Sequence, residues 1–202
     1  MPVSEPATAR GRFTRARIVQ AAAELVAEGG AAAMSLDEVG ARANASRSQL
    51  YHYFEDRDDL IRAVIDATTN TVLAAQDELL SDLNSWDGID RWFAALNAIQ
   101  LQREARGGCP IGSLVGQLAE RDPLARAALA DGFDRWEGRL RDGLKQMQSD
   151  GSLVPAADPS QLATATMALL QGGLLLAQVR RDPEQLRIAL NAARSLLQTA
   201  ST

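Results

Sequence analysis

Apolar residues recur at Ile18, Ala22, Leu25 and Val26, which is one face of a helix over about residues 14–28. Gly29-Gly30 ends it, because glycine enters the left-handed region cheaply. Ser35-Leu36-Asp37-Glu38 reads as a capping box, with the Ser35 hydroxyl over the first turn and Glu38 reaching back, and it opens a short helix to about Arg42. Ala43-Asn44-Ala45 predicts a tight turn with Asn44 left-handed, and Ser46 caps a third helix running through Tyr53. Two short helices joined by a turn of about three residues form a helix-turn-helix pattern.

A fourth helix is predicted from about Asp56, with Asp58 and Asp59 at the positive end of its dipole. Leu60, Val64, Ala67, Val72 and Leu79 extend its apolar face, so the pattern predicts one continuous helix to about residue 80. Further helices are expected over about 89–103, 111–120, 123–149 and 159–180, and from Pro183 to near the end, where Leu186, Leu190, Ala193 and Leu197 form a one-sided stripe. No stretch reads as a strand. The expectation is an all-α protein: a disordered arm at residues 1–9, a three-helix N-terminal head at 10–57, and a larger helical body at 58–202.

Composition narrows what such a chain can do. With 202 residues, 46% hydrophobic and 23% charged, it can bury a substantial core. One Cys (Cys109) and one His (His52) exclude an internal disulfide and any zinc site needing several Cys and His ligands. The polar, Arg-bearing start lacks the apolar core of an export signal, which predicts a cytoplasmic protein. Residues 160–179 carry no charge, but they contain Gln161, Gln171, Gln178, Thr164, Thr166 and Gly172-Gly173, so a buried core or interface helix is expected there and no membrane span. No Gly-rich phosphate loop of either common type occurs, and the single His lies in the third helix, so a Ser/His/Asp or Cys/His triad would have to be built around the helix-turn-helix itself. Neither catalysis nor a cofactor is expected.

The net charge of -5 is unevenly placed: residues 1–54 carry +1 and the rest carries -6, with Arg10, Arg12, Arg15 and Arg17 clustered without an acid. On the third helix, Arg47, Ser48 and Gln49 fall in the first turn and face outward while Val39 and Leu50 point inward. Arg pairs in bidentate fashion with guanine O6 and N7, and Gln with adenine N6 and N7, so this face holds readers for both purines. Ser35, Ser46 and Arg57 sit at helix N-termini, where backbone N–H groups also point at phosphate.

The run from Leu36 to Phe54, with its Leu50-Tyr51-His52-Tyr53-Phe54 core, resembles the DNA-binding head of TetR-family regulators. The likeness extends forward through Glu55-Asp56-Arg57-Asp58-Asp59-Leu60 and back to Thr14-Arg15-Ala16-Arg17-Ile18 and Glu28-Gly29-Gly30. It implies that Tyr51 and His52 contact backbone phosphate and thymine methyl. It also implies a homodimer in which the last two helices of each subunit build the interface, for which 160–179 and the Leu stripe from Leu186 to Leu197 are suitable material. A second likeness, carried by Gly108-Cys109-Pro110-Ile111-Gly112-Ser113-Leu114, Asp122-Pro123, Phe133 with Trp136, and 171–183, is to the C-terminal domain of the branch containing repressors of multidrug-efflux and flavonoid-responsive genes. It implies an apolar cavity for an inducer, and Trp92, Phe93, Cys109, Phe133, Trp136, Met167 and Gln171 are the residues expected around it.

Together these readings lead to a ligand-responsive dimeric transcriptional repressor that binds a palindromic operator in double-stranded DNA and is released by a small apolar or aromatic inducer. The alternative from a different class is a helical small-molecule carrier or interaction protein without DNA binding, which needs the cavity but not an outward Arg47 and Gln49.

Overall fold

The computed structural model describes residues 6–202, and among them it holds ten helices and no strand beyond one isolated antiparallel bridge between Leu153 and Ser201. α1 (Ala9–Gly29) begins earlier than the apolar periodicity requires, because the Thr8 hydroxyl accepts from the Gly11 N–H at 3.1 Å and caps a first turn that buries Gly11. Residues 1–5 of the expected arm lie outside the described residues, while Ala9 is already helical. The Arg12 guanidinium folds back onto the carbonyls of Pro6 and Ala7 at 3.2 and 3.0 Å.

α2 (Leu36–Ala43) and α3 (Arg47–Tyr53) both open with complete capping boxes, Ser35 with Glu38 and Ser46 with Gln49. Between them Asn44 takes the left-handed conformation at φ 46°, as the turn chemistry requires. Ile18, Ala22, Val39, Leu50 and Leu60 are buried and supply the apolar contacts of the head. Arg42 adds a bidentate pair to Glu28 (2.7 and 2.9 Å) that ties α2 to the end of α1, and this hydrogen-bonded guanidinium holds the Glu28 carboxyl below its ordinary range.

The single long helix expected up to residue 80 is interrupted. α4 (Arg57–Ala74) stops at a turn, and α5 (Asp77–Leu80) follows. The cause is tertiary. Gln76 is buried, and its side-chain carbonyl accepts from the Trp92 indole N–H at 2.9 Å, which favours a turn where propensity alone would continue the helix.

α6 (Trp86–Gln102), α7 (Pro110–Leu118), α8 (Pro123–Ser149), α9 (Pro159–Arg180) and α10 (Glu184–Gln198) complete the chain. Two compact units result. One comprises the chain up to Val72 with Ser113–Gly132, and the other comprises Leu73–Gly112 with Phe133–Thr202. The first unit therefore extends past the boundary expected at residue 57, since Gly132 of α8 packs so closely on α4 that a Cβ there would lie 2.6 Å from Thr69 Oγ1.

In the second unit α9 and α10 pack face to face. Leu186, Leu190, Ala193 and Leu197 are buried in this pairing, and Gly173 admits α10 so closely that a Cβ on it would stand 2.7 Å from Ala189 Cβ. The Leu stripe expected at a subunit seam therefore belongs to the core of one chain. Gly172 points away, with open space beyond it, and the same side of α9 exposes Leu175 (64%) and Val179 (74%). By length and composition α9 is apolar enough to cross a membrane, but Ala163, Met167, Leu170, Leu174 and Ala177 form a buried face within this unit.

Candidate nucleic-acid interface

α3 is seven residues long, so the placement of its outward face depends on how firmly its first turn is held. Ser46 Oγ accepts from the Gln49 N–H at 3.2 Å, and the Gln49 side-chain carbonyl accepts from the Ser46 N–H at 2.9 Å. This reciprocal cap fixes the helix start and leaves the Gln49 amide nitrogen as the donor still facing outward. Leu50 anchors the opposite side in the core, while Arg47, Ser48, Gln49, Tyr51 and His52 are all exposed on one short helix. Arg47 lies along Tyr51, its guanidinium carbon 5.8 Å from the ring centroid, and a hydrogen bond to Tyr51 raises the Arg47 pKa further above neutrality. His52 packs edge-on against Tyr53 at 4.8 Å between centroids.

The remaining expected DNA residues divide by what already holds them. Ser35 Oγ accepts from the Glu38 N–H and donates to the Glu38 carboxylate at 2.7 Å, placing the α2 N-terminus rigidly at the surface. Arg57, expected at a phosphate, is also held inside the head. Its Nε donates to the Met34 carbonyl at 3.0 Å and its Nη2 to the Ala31 carbonyl, so the guanidinium is engaged as a clamp on the α1–α2 turn. Its partners lie 23 and 26 residues away, and no local pattern announces them. Sequence reasoning also passed over two further side chains. Arg17 donates to the Asn44 carbonyl at 3.3 Å, bracing the turn ahead of α3, and Gln117 reaches Ala31 across 86 residues of sequence.

The residues expected around an inducer all lie in the second unit. Trp92 is fully buried, tilted against Phe93 at 5.3 Å between centroids and bonded to Gln76. Cys109 sits at the start of α7, its sulfur accepting from the Gly112 N–H at 3.3 Å with the Gln171 amide beside it. Trp136 and Met167 are buried, and Phe133 is half-buried. Burial pushes the Cys109 thiol above its ordinary pKa, against the smaller opposing effect of hydrogen bonds from Gly112, Ile111 and Gln171. The thiolate is the reactive form, so the native protein is expected to resist iodoacetamide at neutral pH, with alkylation accelerating only above the ordinary thiol range of about 8.5. Mass spectrometry of native and urea-unfolded protein checks this, and equal modification rates at pH 7 contradict it.

Two family models match the chain. The tetR family of bacterial regulatory proteins matches residues 18–64, and the tetracyclin repressor-like C-terminal domain matches residues 87–193. This chain belongs to the TetR family. An uncharacterized HTH-type transcriptional regulator of Mycobacterium tuberculosis, Rv0196, is 32% identical over 190 residues, covering 91% of this chain and 93% of its own. Among solved structures, the regulatory protein TetR from Rhodobacter sphaeroides superimposes with a TM-score of 0.73 at 23% identity, over 91% of this chain and 98% of that one. SmeT, the repressor of a Stenotrophomonas maltophilia multidrug efflux pump, has a TM-score of 0.65 at 20% identity, over 92% of this chain and 91% of its own. TetR-family membership makes the chain a transcriptional regulator.

Proposed function

We propose that this TetR-family regulator acts in the cytoplasm as a homodimeric repressor of a palindromic operator and is released by a small apolar or aromatic molecule. The observation that carries the DNA reading is α3, which exposes Arg47, Ser48, Gln49, Tyr51 and His52 together on a doubly capped helix anchored by Leu50. Arg47 and the Gln49 amide read base edges, Tyr51 and His52 meet phosphate and thymine methyl, and the α2 and α3 N-termini at Ser35 and Ser46 offer backbone N–H groups to phosphate. Dimerisation uses the apolar face of α9 at Leu175, Leu176 and Val179, continued by Ile188 of α10.

Inducer binding draws support from the interior of the second unit. Trp136 Nε1 is a buried donor with no hydrogen-bond partner among the described residues. Such a group costs about 1–3 kcal/mol when unpaired, so an acceptor on an otherwise apolar guest gains at this place. Trp92, Phe93, Cys109, Phe133 and Met167 supply apolar surface in the same unit.

Selection from random duplex DNA tests the reading. It is expected to enrich inverted repeats whose half-site centres lie about 34 Å apart, bound by a species that sediments as a dimer. Recovery of no preferred sequence, or of single half-sites bound by a monomer, overturns it.

A further inference from the structure

The turn between α1 and α2 is gripped on both sides of one residue. The Ala31 N–H donates to Gln117 Oε1 at 2.7 Å, and the Ala31 carbonyl accepts from Arg57 Nη2. Ala31 itself is buried. Gln117 is held in turn, since its Nε2 donates to the Ser113 carbonyl one helical turn back at 3.0 Å. Gly30 makes the approach possible: it takes φ 83°, and a Cβ there would stand 3.1 Å from Gln117 Oε1.

What the turn holds is the start of the DNA-facing region. Arg57 also bonds the Met34 carbonyl, the peptide immediately before the Ser35 cap of α2, so fixing Ala31 and Met34 fixes the N-terminus of α2 and, through the Asn44 turn, the entry of α3. α7 carries Gln117 near one end. At the other end Gly112 lies within van der Waals range of the Cys109 side chain, and a Cβ on it would stand 3.1 Å from Gln171 Oε1.

We infer that Gln117 is a positioning residue for operator recognition: its side-chain carbonyl holds the Ala31 amide, and losing that bond releases the α1–α2 turn and with it the alignment of α2 and α3. The inference rests on the DNA-binding reading above. A 2.7 Å bond to a buried amide tolerates only a few tenths of an ångström before it weakens, so a small shift of the Gln117 side chain suffices.

The test uses the full-length protein and an operator fragment obtained by selection. Gln117→Ala is expected to lower operator affinity about tenfold, the scale of one lost buried hydrogen bond. The slope of affinity against salt should stay unchanged, because no phosphate contact is removed. Hydrogen exchange of the Ala31 amide should accelerate by at least the same factor while the urea midpoint stays near that of the parent. Gln117→Glu retains an acceptor oxygen and is expected to restore both the protection of Ala31 and most of the affinity. Parent-like affinity and Ala31 protection in Gln117→Ala overturn the inference, as does a Gln117→Glu variant that behaves like the alanine variant. If the parent protein binds no selected operator, the DNA-binding reading fails by itself, and the Ala31 exchange rates still decide whether Gln117 holds the turn.

Discussion

Leu190→Glu is expected to unfold the C-terminal unit and not merely to separate two subunits. Leu190 is 1% exposed, sealed between α10 and α9 with Leu186, Ala193 and Leu197 around it on the same stripe. A carboxylate introduced there has no cationic partner in the stripe and loses the packing of a leucine. About 3–5 kcal/mol of stability should disappear, enough to remove much of the margin of a domain this size. Urea denaturation followed by circular dichroism measures the loss. Val179→Glu gives the contrast, because Val179 is 74% exposed on the outer side of α9. There the unfolding free energy of the isolated chain should change by no more than about 0.5 kcal/mol, while sedimentation shifts toward monomer. A folded, monomeric Leu190→Glu protein contradicts this assignment of the two faces.

Arg47→Ala is the second change with a large expected effect. Arg47 is exposed in the first turn of α3 and steadied along Tyr51, so the side chain is partly pre-organised before it meets a base. Loss of one bidentate guanine contact per half-site should cost about 1–3 kcal/mol, or roughly 5- to 150-fold in affinity, and relax base preference at one position of each half-site. Repeating the duplex selection with the variant reads both quantities. An unchanged base preference with unchanged affinity places the reading face elsewhere on the head.

The head was largely legible in the sequence because its signals are local. Ser35 with Glu38, the Ser46 cap, and Asn44 between them each act within four residues, and the structure contains all three, with Gln49 completing a second capping box. Pro123 and Pro159 likewise mark the starts of α8 and α9, since proline suits a first helical turn. Long-range contacts were not legible. The break after Ala74 comes from a Gln76–Trp92 hydrogen bond, and nothing at positions 75 or 76 signals it to periodicity. The faces of α9 and α10 present a different difficulty: both Leu190 and Val179 lie on apolar sides of apolar helices, and a repeat period cannot say which side meets its own chain. Among the expected site residues, the clamp that Arg57 forms was hidden for the same reason, because its carbonyl partners lie in the turn between α1 and α2.

The early start of α1 bears on how ionic strength acts on this protein. Its first turn carries Arg10 and Arg12 and no acid, at the helix end where the aligned peptide dipoles already leave positive charge. The free head is thus electrostatically frustrated at that point, with like charges crowded where a helix favours an anion. Added salt screens this crowding and stabilises the unbound head, and it also reduces the gain from releasing counterions off the duplex. The two effects push the same way, so the salt dependence of operator binding combines a contribution from the strain of the free protein with the one from DNA.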